Sequence, residues 1–162
     1  MGHRVAGITC LPATLLTAAF WLACVPAAAA PGSGRVTPKN SAEATVVAFL
    51  DTAFNQRKVD EAFVRYVGSE YRQHNPTVAD GKQAIIDALR QWLPATPNLH
   101  YEFKHLYSDG DRVIVHSLVT VNATDRGNAV VDIFRVEHGK VVEHWDVSQA
   151  IPEKSLNDNT MF

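Results

Sequence analysis

The chain has 162 residues, of which 46% are hydrophobic and 20% charged, an ordinary globular composition at a length that suits one domain. Seventeen acidic and fifteen basic side chains give a net charge of −2, without any basic block, so we expect no binding to nucleic acid. The two cysteines, Cys10 and Cys24, lie near the start. The rest of the chain therefore offers no disulfide framework, zinc–cysteine site or cysteine nucleophile.

Residues 1–29 have the pattern of a signal peptide. A short, weakly basic start precedes a mainly apolar stretch over residues 6–25, and Ala27 and Ala29 stand in the small-x-small arrangement of a cleavage site. We expect cleavage after Ala29, an exported protein that is periplasmic or secreted, and no membrane association afterwards. Two alternatives stay open at this point: a retained membrane anchor and lipid attachment at Cys24.

The remaining chain divides into three parts. Residues 30–39 form a flexible leader rich in Gly, Ser and Pro, residues 40–150 a folded domain, and residues 151–162 a polar C-terminal tail. Asn40 is the expected cap of the first helix, because Glu43 follows three residues later in the capping-box relation.

Helical spacing of apolar residues predicts three helices in the first half of the domain. The first follows Asn40, the second starts near Asp60, and the third follows Gly81 and stops at Pro94. A short strand over residues 69–75 is expected between the second and third helices.

After residue 98 the spacing of apolar residues changes from 3.6 to 2. Four strands follow, separated by turns at residues 108–111, 124–128 and 138–139, and the last strand spans residues 140–150. Helices first and an antiparallel meander last define an α+β fold.

The last hairpin carries polar groups among apolar ones. Asp132 lies between apolar neighbours on its strand, where a carboxylate is costly to bury unless it is paired, protonated or used. Alternation groups the residues of the last strand into two faces, Val142, His144, Asp146 and Ser148 on one, and Val141, Glu143, Trp145 and Val147 on the other. The alternative interpretation makes His144 and Asp146 part of a solvated polar face.

A second candidate segment is Tyr71-Arg-Gln-His-Asn-Pro76. His74 and Asn75 lie at a strand end, where side chains can reach over the mouth of a cavity, but alternation lets only one of them point inward from a regular strand. An Asn-Pro turn with a surface His is the competing interpretation.

Together these segments resemble the SnoaL-like polyketide cyclase family, within the superfamily of nuclear transport factor-like cone folds. The resemblance covers about residues 41–150, and its carriers are residues 71–76, 81–85, 132–135 and, most specifically, the GKVVEHWD run at 139–146. It implies a curved antiparallel sheet wrapped around three N-terminal helices, a cystatin-like cone with an apolar interior. It also implies an intramolecular aldol condensation in which a pocket aspartate and histidine handle protons, with no cofactor and no metal.

The resemblance assigns roles to individual residues. Asp146 and His144 match the end of the family pattern, so it implies acid/base work for Asp146 and support from His144. Asp132 lies where related ketosteroid isomerases place the acid that stabilises an oxyanion. The general base of those isomerases falls at Asn75, which cannot abstract a proton, and this argues against steroid isomerase chemistry. We assign His74, Asn75, Phe134 and Ser148 to substrate binding.

The sequence thus predicts cofactor-free acid/base catalysis, of the aldol or enolisation type, on a small apolar carbonyl compound. The rival hypothesis is a non-catalytic periplasmic module that binds a small molecule. A metal site built from His144, Asp146 and His74 is a minor third possibility. We also expect a homodimer, because the outer face of the last strand offers Val141, Trp145 and Val147 with no remaining element to cover it.

Overall fold

Three helices pack against one five-stranded sheet. The computed structural model describes Met1 and residues 36–162, so the predicted signal peptide lies, apart from Met1, outside the described residues. The helices are α1 (Ser41–Leu50, continued by a π-helical turn Asp51–Asn55), α2 (Val59–Tyr66) and α3 (Lys82–Ala95). The strands are β1 (Val67–Gln73), β2 (His100–Asp109), β3 (Arg112–Thr120), β4 (Asn128–Glu137) and β5 (Lys140–Ala150). Within this described part, no helix is long and apolar enough to cross a membrane.

The start of α1 is held by the predicted cap. Asn40 Oδ1 accepts a hydrogen bond from the backbone N–H of Glu43 at 2.9 Å, which confirms the capping interaction. The Glu43 carboxylate in turn accepts from the backbone N–H of Lys39 at 2.6 Å and from the hydroxyl of Ser108 at 2.7 Å. These bonds, the backbone one first, lower the pKa of Glu43 and tie α1 to the end of β2.

The sheet is mixed, which corrects the expectation of a wholly antiparallel one. Its strand order is β1-β5-β4-β3-β2, in which β2 to β5 form the predicted antiparallel meander and β1 runs parallel to β5. The chain reaches β1 directly from α2 and leaves it through α3, and such helical connections allow parallel pairing. The pairing places Gln73 opposite His144. The α+β class predicted from the sequence is confirmed.

An irregularity in the β4–β5 ladder changes which face Val141 occupies. The register shifts between Arg135 and Val136, so Val136 pairs with Val141 while Arg135 pairs with Glu143. An extra residue of this kind reverses the alternation of side chains beyond it. Val141 is therefore fully buried in the core, and its predicted place on the outer face with Trp145 is wrong.

The core lies between the helices and the concave face of the sheet. Phe49 of α1 packs edge-on against Phe63 of α2 at 5.2 Å and against Phe134 of β4 at 5.9 Å between ring centroids. On the opposite, convex face the polar tail after β5 folds back, so that the ring of Phe162 lies 5.0 Å from that of His116. Aromatic packing thus joins the helices to the sheet.

Candidate active site

A cavity of about 340 Å³ opens between the helices and the concave face of the sheet. This volume is near the lower end for sites that bind small molecules. Most of its wall is aromatic or aliphatic. The polar side chains that reach it include Tyr71, Gln73, Asn75, Asp132, His144 and Asp146.

Three neighbouring strands position these polar groups. Asp132 of β4 lies directly opposite Asp146 of β5, and Phe134 lies opposite His144 in the same ladder. On the other side of β5, the end of β1 brings Gln73 beside His144. Side chains at alternate positions share a face, so β4 and β5 each present their polar pattern to the cavity. The structure thus brings together Asp132, His144 and Asp146.

Asp132 is a buried carboxyl group with one hydrogen-bond partner. Its Oδ1 lies 3.1 Å from Nε2 of His144, and the residue is only 4% exposed. Its Oδ2 is also buried and has no hydrogen-bond partner within the described part of the chain. Burial raises the pKa of Asp132 and the charge of Asp146 adds to this, outweighing the opposite effect of His144. The site therefore favours a protonated Asp132.

His144 is fixed on both sides of its ring. Its Nδ1 lies 3.0 Å from Oε1 of Gln73, and its Nε2 lies against Asp132. The ring also stacks on Phe134, with centroids 4.7 Å apart. Phe134, assigned to substrate binding from the sequence, thus forms part of the cavity wall and supports the imidazole.

The carboxylate of Asp146 is held by one amide group. Nδ2 of Asn75 lies 2.8 Å from both carboxylate oxygens. Oδ1 of Asn75 accepts hydrogen bonds from the backbone N–H of Thr77 at 2.9 Å and from its hydroxyl at 2.6 Å. Because a backbone N–H only donates, these bonds fix which end of the Asn75 amide faces Asp146. Asp146 is half-buried and keeps its carboxylate at the cavity.

The structure does not bring His74 and Ser148 to the cavity. His74 follows the inward-facing Gln73, so alternation turns its ring to the convex face, where it stacks on Trp145 with centroids 4.6 Å apart. Ser148 is exposed near the end of β5, beyond the cavity lining. Of the two neighbours at the end of β1, Asn75 is the one that reaches the cavity.

On the convex face, a buried ion cluster lies behind the cavity. Glu143 accepts from Nε of Arg135 at 2.6 Å and lies 2.8 Å from Nε2 of His74. Burial alone would raise the pKa of Glu143, but these two partners lower it. Among the described residues that line the cavity, none is Lys or Arg.

Sequence reasoning did not single out four polar residues of the cavity: Tyr71, Gln73, Thr77 and Tyr101. Burial raises the pKa of both tyrosines, and the charge of Asp146 adds to the effect, so both hydroxyls stay protonated. A sequence signal for two of them exists, because Tyr71 and Gln73 precede Asn75 at steps of two on one strand. Once Asn75 is placed inward, they face inward as well.

The cluster also has the composition of a possible metal site. Asp132, His144 and Asp146 each offer one ligand atom, and these atoms lie within 4.8 Å of one another. An ion held there would replace the hydrogen bond between Asp132 and His144, and a structural zinc would need a fourth protein ligand.

A curved sheet that holds carboxyl groups and a histidine over an apolar cavity, closed by three helices, defines a cone-fold protein. The chain matches the SnoaL-like domain model over residues 46–144, which is more than half of its length. It therefore belongs to the SnoaL-like family. A search of curated proteins gives no match.

Solved structures show the same fold. TsrD from Streptomyces laurentii has 22% identity and a TM-score of 0.57, with 70% of this chain and 91% of that chain covered. A candidate polyketide cyclase from Acidithiobacillus ferrooxidans has 14% identity and a TM-score of 0.58 at the same coverages. A protein from Agrobacterium tumefaciens, proposed to be an isomerase of the SnoaL-like family, has 11% identity and a TM-score of 0.58, covering 68% of this chain and 98% of that one. At these identities the likeness concerns the fold alone.

Proposed function

We propose that this chain is an exported enzyme that carries out cofactor-free acid/base catalysis, of the aldol-cyclisation or enolisation type, on a small uncharged carbonyl compound. One observation carries the proposal: the carboxylate of Asp146 lies opposite the buried acid Asp132 in one apolar cavity. Two carboxyl groups in unlike environments are the usual basis of paired acid and base roles. Membership of the SnoaL-like family supports the same reaction class.

The reaction begins with removal of a proton from the carbon next to the substrate carbonyl. Asp146 takes this proton, the C–H electron pair forms the enolate double bond, and negative charge develops on the carbonyl oxygen. The protonated hydroxyl groups of Tyr71 and Tyr101 at the cavity are placed to stabilise that charge, and a protonated Asp132 adds no negative charge that would oppose it. In an aldol cyclisation the enolate carbon then attacks a second carbonyl group of the same molecule, whose oxygen takes up the proton that Asp146 removed, so the carboxylate is restored.

The lining of the cavity supports this choice of substrate class. A wall without Lys or Arg and with carboxyl groups disfavours carboxylates and phosphates, whose charge would meet no counter-ion. Phe54 stacks on Tyr101 at 4.6 Å and lies edge-on to Trp92 at 6.4 Å, which offers flat apolar surfaces. The site therefore suits a compact, uncharged compound with an aromatic ring.

The test uses β-tetralone, an aromatic ketone with an acidic C–H bond beside its carbonyl group. In deuterated buffer, NMR follows replacement of that hydrogen by deuterium. We expect Asp146→Asn to lower the catalysed rate by a factor on the order of 100 or more. The exposed Asp109→Asn is the matched control and should exchange at the wild-type rate. Equal rates in wild type and Asp146→Asn would remove Asp146 from the mechanism.

A binding module is the second candidate function, and one contact favours it. Asn75 already occupies both oxygens of Asp146, an arrangement that also suits a carboxylate with a purely structural role. In that case native mass spectrometry of protein from its exporting host should reveal an apolar molecule that denaturation releases unchanged. Its affinity should survive Asp146→Asn. The same spectra test export, because the mature chain should begin at Ala30.

A further inference from the structure

The side chain of Gln73 contacts Tyr71, His144 and Asn75, three residues of the site. It lies at the end of β1 and is 8% exposed. Its Oε1 accepts from the backbone N–H of Asn75 at 2.9 Å and lies 3.0 Å from Nδ1 of His144. Its Nε2 donates to the hydroxyl oxygen of Tyr71 at 3.2 Å.

The backbone of Asn75 settles the orientation of the Gln73 amide. A backbone N–H can only donate, so the atom of Gln73 that faces it must be the carbonyl oxygen. The same oxygen faces Nδ1 of His144, and two acceptors cannot share a hydrogen bond. Nδ1 of His144 must therefore carry a hydrogen whether the imidazole is neutral or charged.

This assignment fixes the other side of the imidazole. In a neutral ring with hydrogen on Nδ1, Nε2 has a lone pair and accepts. Its partner, Oδ1 of Asp132, must then donate, which agrees with the raised pKa of this buried carboxyl group. One proton is thus shared between Oδ1 of Asp132 and Nε2 of His144, at the wall of the cavity.

Gln73 has a second effect through Tyr71. Because Nε2 of Gln73 donates to the phenolic oxygen, that oxygen already acts as an acceptor and its own hydrogen stays available. Burial keeps the hydroxyl protonated by raising the pKa of Tyr71. The proton of Asp132 is engaged with His144, so the hydroxyl of Tyr71 is a donor left free for a substrate oxygen.

We propose that Gln73 is the positioning residue of this site: it holds His144 in the Nδ1–H tautomer, with the proton of Asp132 directed at Nε2, and it directs the hydroxyl of Tyr71 towards the substrate. The tautomer assignment depends on geometry alone. Its catalytic consequence rests on the proposed function.

The tautomer is measured without any substrate, by long-range ¹H–¹⁵N NMR of His144 in the full mature chain. We expect the neutral ring to carry its hydrogen on Nδ1 in the wild type. In Gln73→Leu the acceptor is gone, and the ring should change to the Nε2–H form, donating to an ionised Asp132. Gln73→Glu keeps an acceptor oxygen and should keep Nδ1–H. The exposed Glu70→Gln on the same strand is the control and should match the wild type.

A wild-type ring with hydrogen on Nε2 would overturn the inference, and so would an unchanged Nδ1–H form in folded Gln73→Leu. If Gln73→Leu does not fold, the wild-type spectrum still decides. The effect on catalysis is measured by the exchange of β-tetralone. Gln73→Leu should lower kcat by roughly tenfold or more and change KM little, because a wrong tautomer of His144 impairs proton transfer rather than substrate binding. An Nδ1–H ring in a wild type that catalyses no exchange would leave the tautomer assignment standing and overturn the proposed function instead.

Discussion

Asn75 donates from a single amide nitrogen to both carboxylate oxygens of Asp146, at 2.8 Å each, across 71 positions of sequence. The contact joins the end of β1 to the middle of β5 and gives the proposed base a fixed orientation. The amide itself is oriented by Thr77. The orientation of the Asp146 carboxylate therefore depends on the short turn after β1.

Replacing Asn75 tests this orientation. Asn75→Leu removes the donor while keeping a side chain of similar size, so the Asp146 carboxylate should lose its alignment, and kcat for exchange of β-tetralone should fall by roughly tenfold to a hundredfold. Thr77→Val is the matched control, since it removes only the hydroxyl contact and leaves the backbone N–H in place. A kcat in Asn75→Leu equal to that of the wild type would show that the base needs no alignment from β1.

Asp132 should make the protein less stable as pH rises. Its folded pKa is raised above the ordinary value of 3.8. The native state therefore binds the proton more tightly, and the stability this provides is complete below the unfolded pKa and lost as pH rises through the folded pKa. Measured by urea unfolding, the advantage of wild type over Asp132→Asn should shrink from pH 4 upward. An advantage that grows over this range would contradict a protonated Asp132.

Glu143, on the opposite face of the sheet, should show the reverse dependence. Arg135 and His74 lower its folded pKa below the ordinary 4.5 despite its burial, so its contribution to stability is present above that value and lost as pH falls through the folded pKa. At neutral pH, Glu143→Gln should lower the free energy of unfolding by about 1–3 kcal/mol. The exposed Glu70→Gln on β1 serves as control and should cost clearly less. Equal losses in both variants would show that the buried ion cluster adds nothing.

Catalysis should need no metal ion. The hydrogen bonds of Asp132, His144 and Asp146 within the cavity engage the same atoms that an ion would use. We expect exchange of β-tetralone to be unchanged by EDTA, and metal analysis of protein purified without chelator to find no stoichiometric ion. Loss of exchange on chelation, with recovery on adding one divalent metal, would assign the cluster to metal chemistry.

The predicted homodimer can be tested through two exposed valines. Val147 on the convex face of β5 is 67% exposed, and Val64 on α2 is 75% exposed. If the convex face forms the interface, Val147→Lys should give a monomer in light scattering at micromolar concentration, whereas Val64→Lys should leave the dimer intact. A monomeric wild type would contradict the dimer.

Alternation along single strands was enough to predict much of the site. The turns indicate β4 and β5, and the period of two places His144 and Asp146 on one face of β5. The family resemblance adds Asp132 to the same pocket, and the structure pairs it with Asp146. Alternation could not predict that β1 pairs with β5. Hairpin turns specify pairing between neighbouring strands, but nothing local specifies a parallel pairing reached through a helix, so the contact of Gln73 with His144 was missed.

Val141 illustrates a second limit. Its predicted face followed from strict alternation, and a single extra residue in the β4–β5 ladder reversed it. The pattern of apolar residues could not reveal this, because valine is equally compatible with the core and with a covered outer face. Bulges depend on the fit between two strands rather than on the composition of one.

The parallel pairing of β1 with β5 also has a consequence for folding. The polar wall of the cavity is completed by contacts between the two strands that lie furthest apart in the sequence, such as Gln73 with His144 at a separation of 71 residues. Closing so long a loop is entropically costly and slow compared with forming the hairpins of the meander. We therefore expect the β2–β5 meander to form first and the site to assemble last, so that a chain that has not yet added β1 to the sheet has a core but no organised pocket.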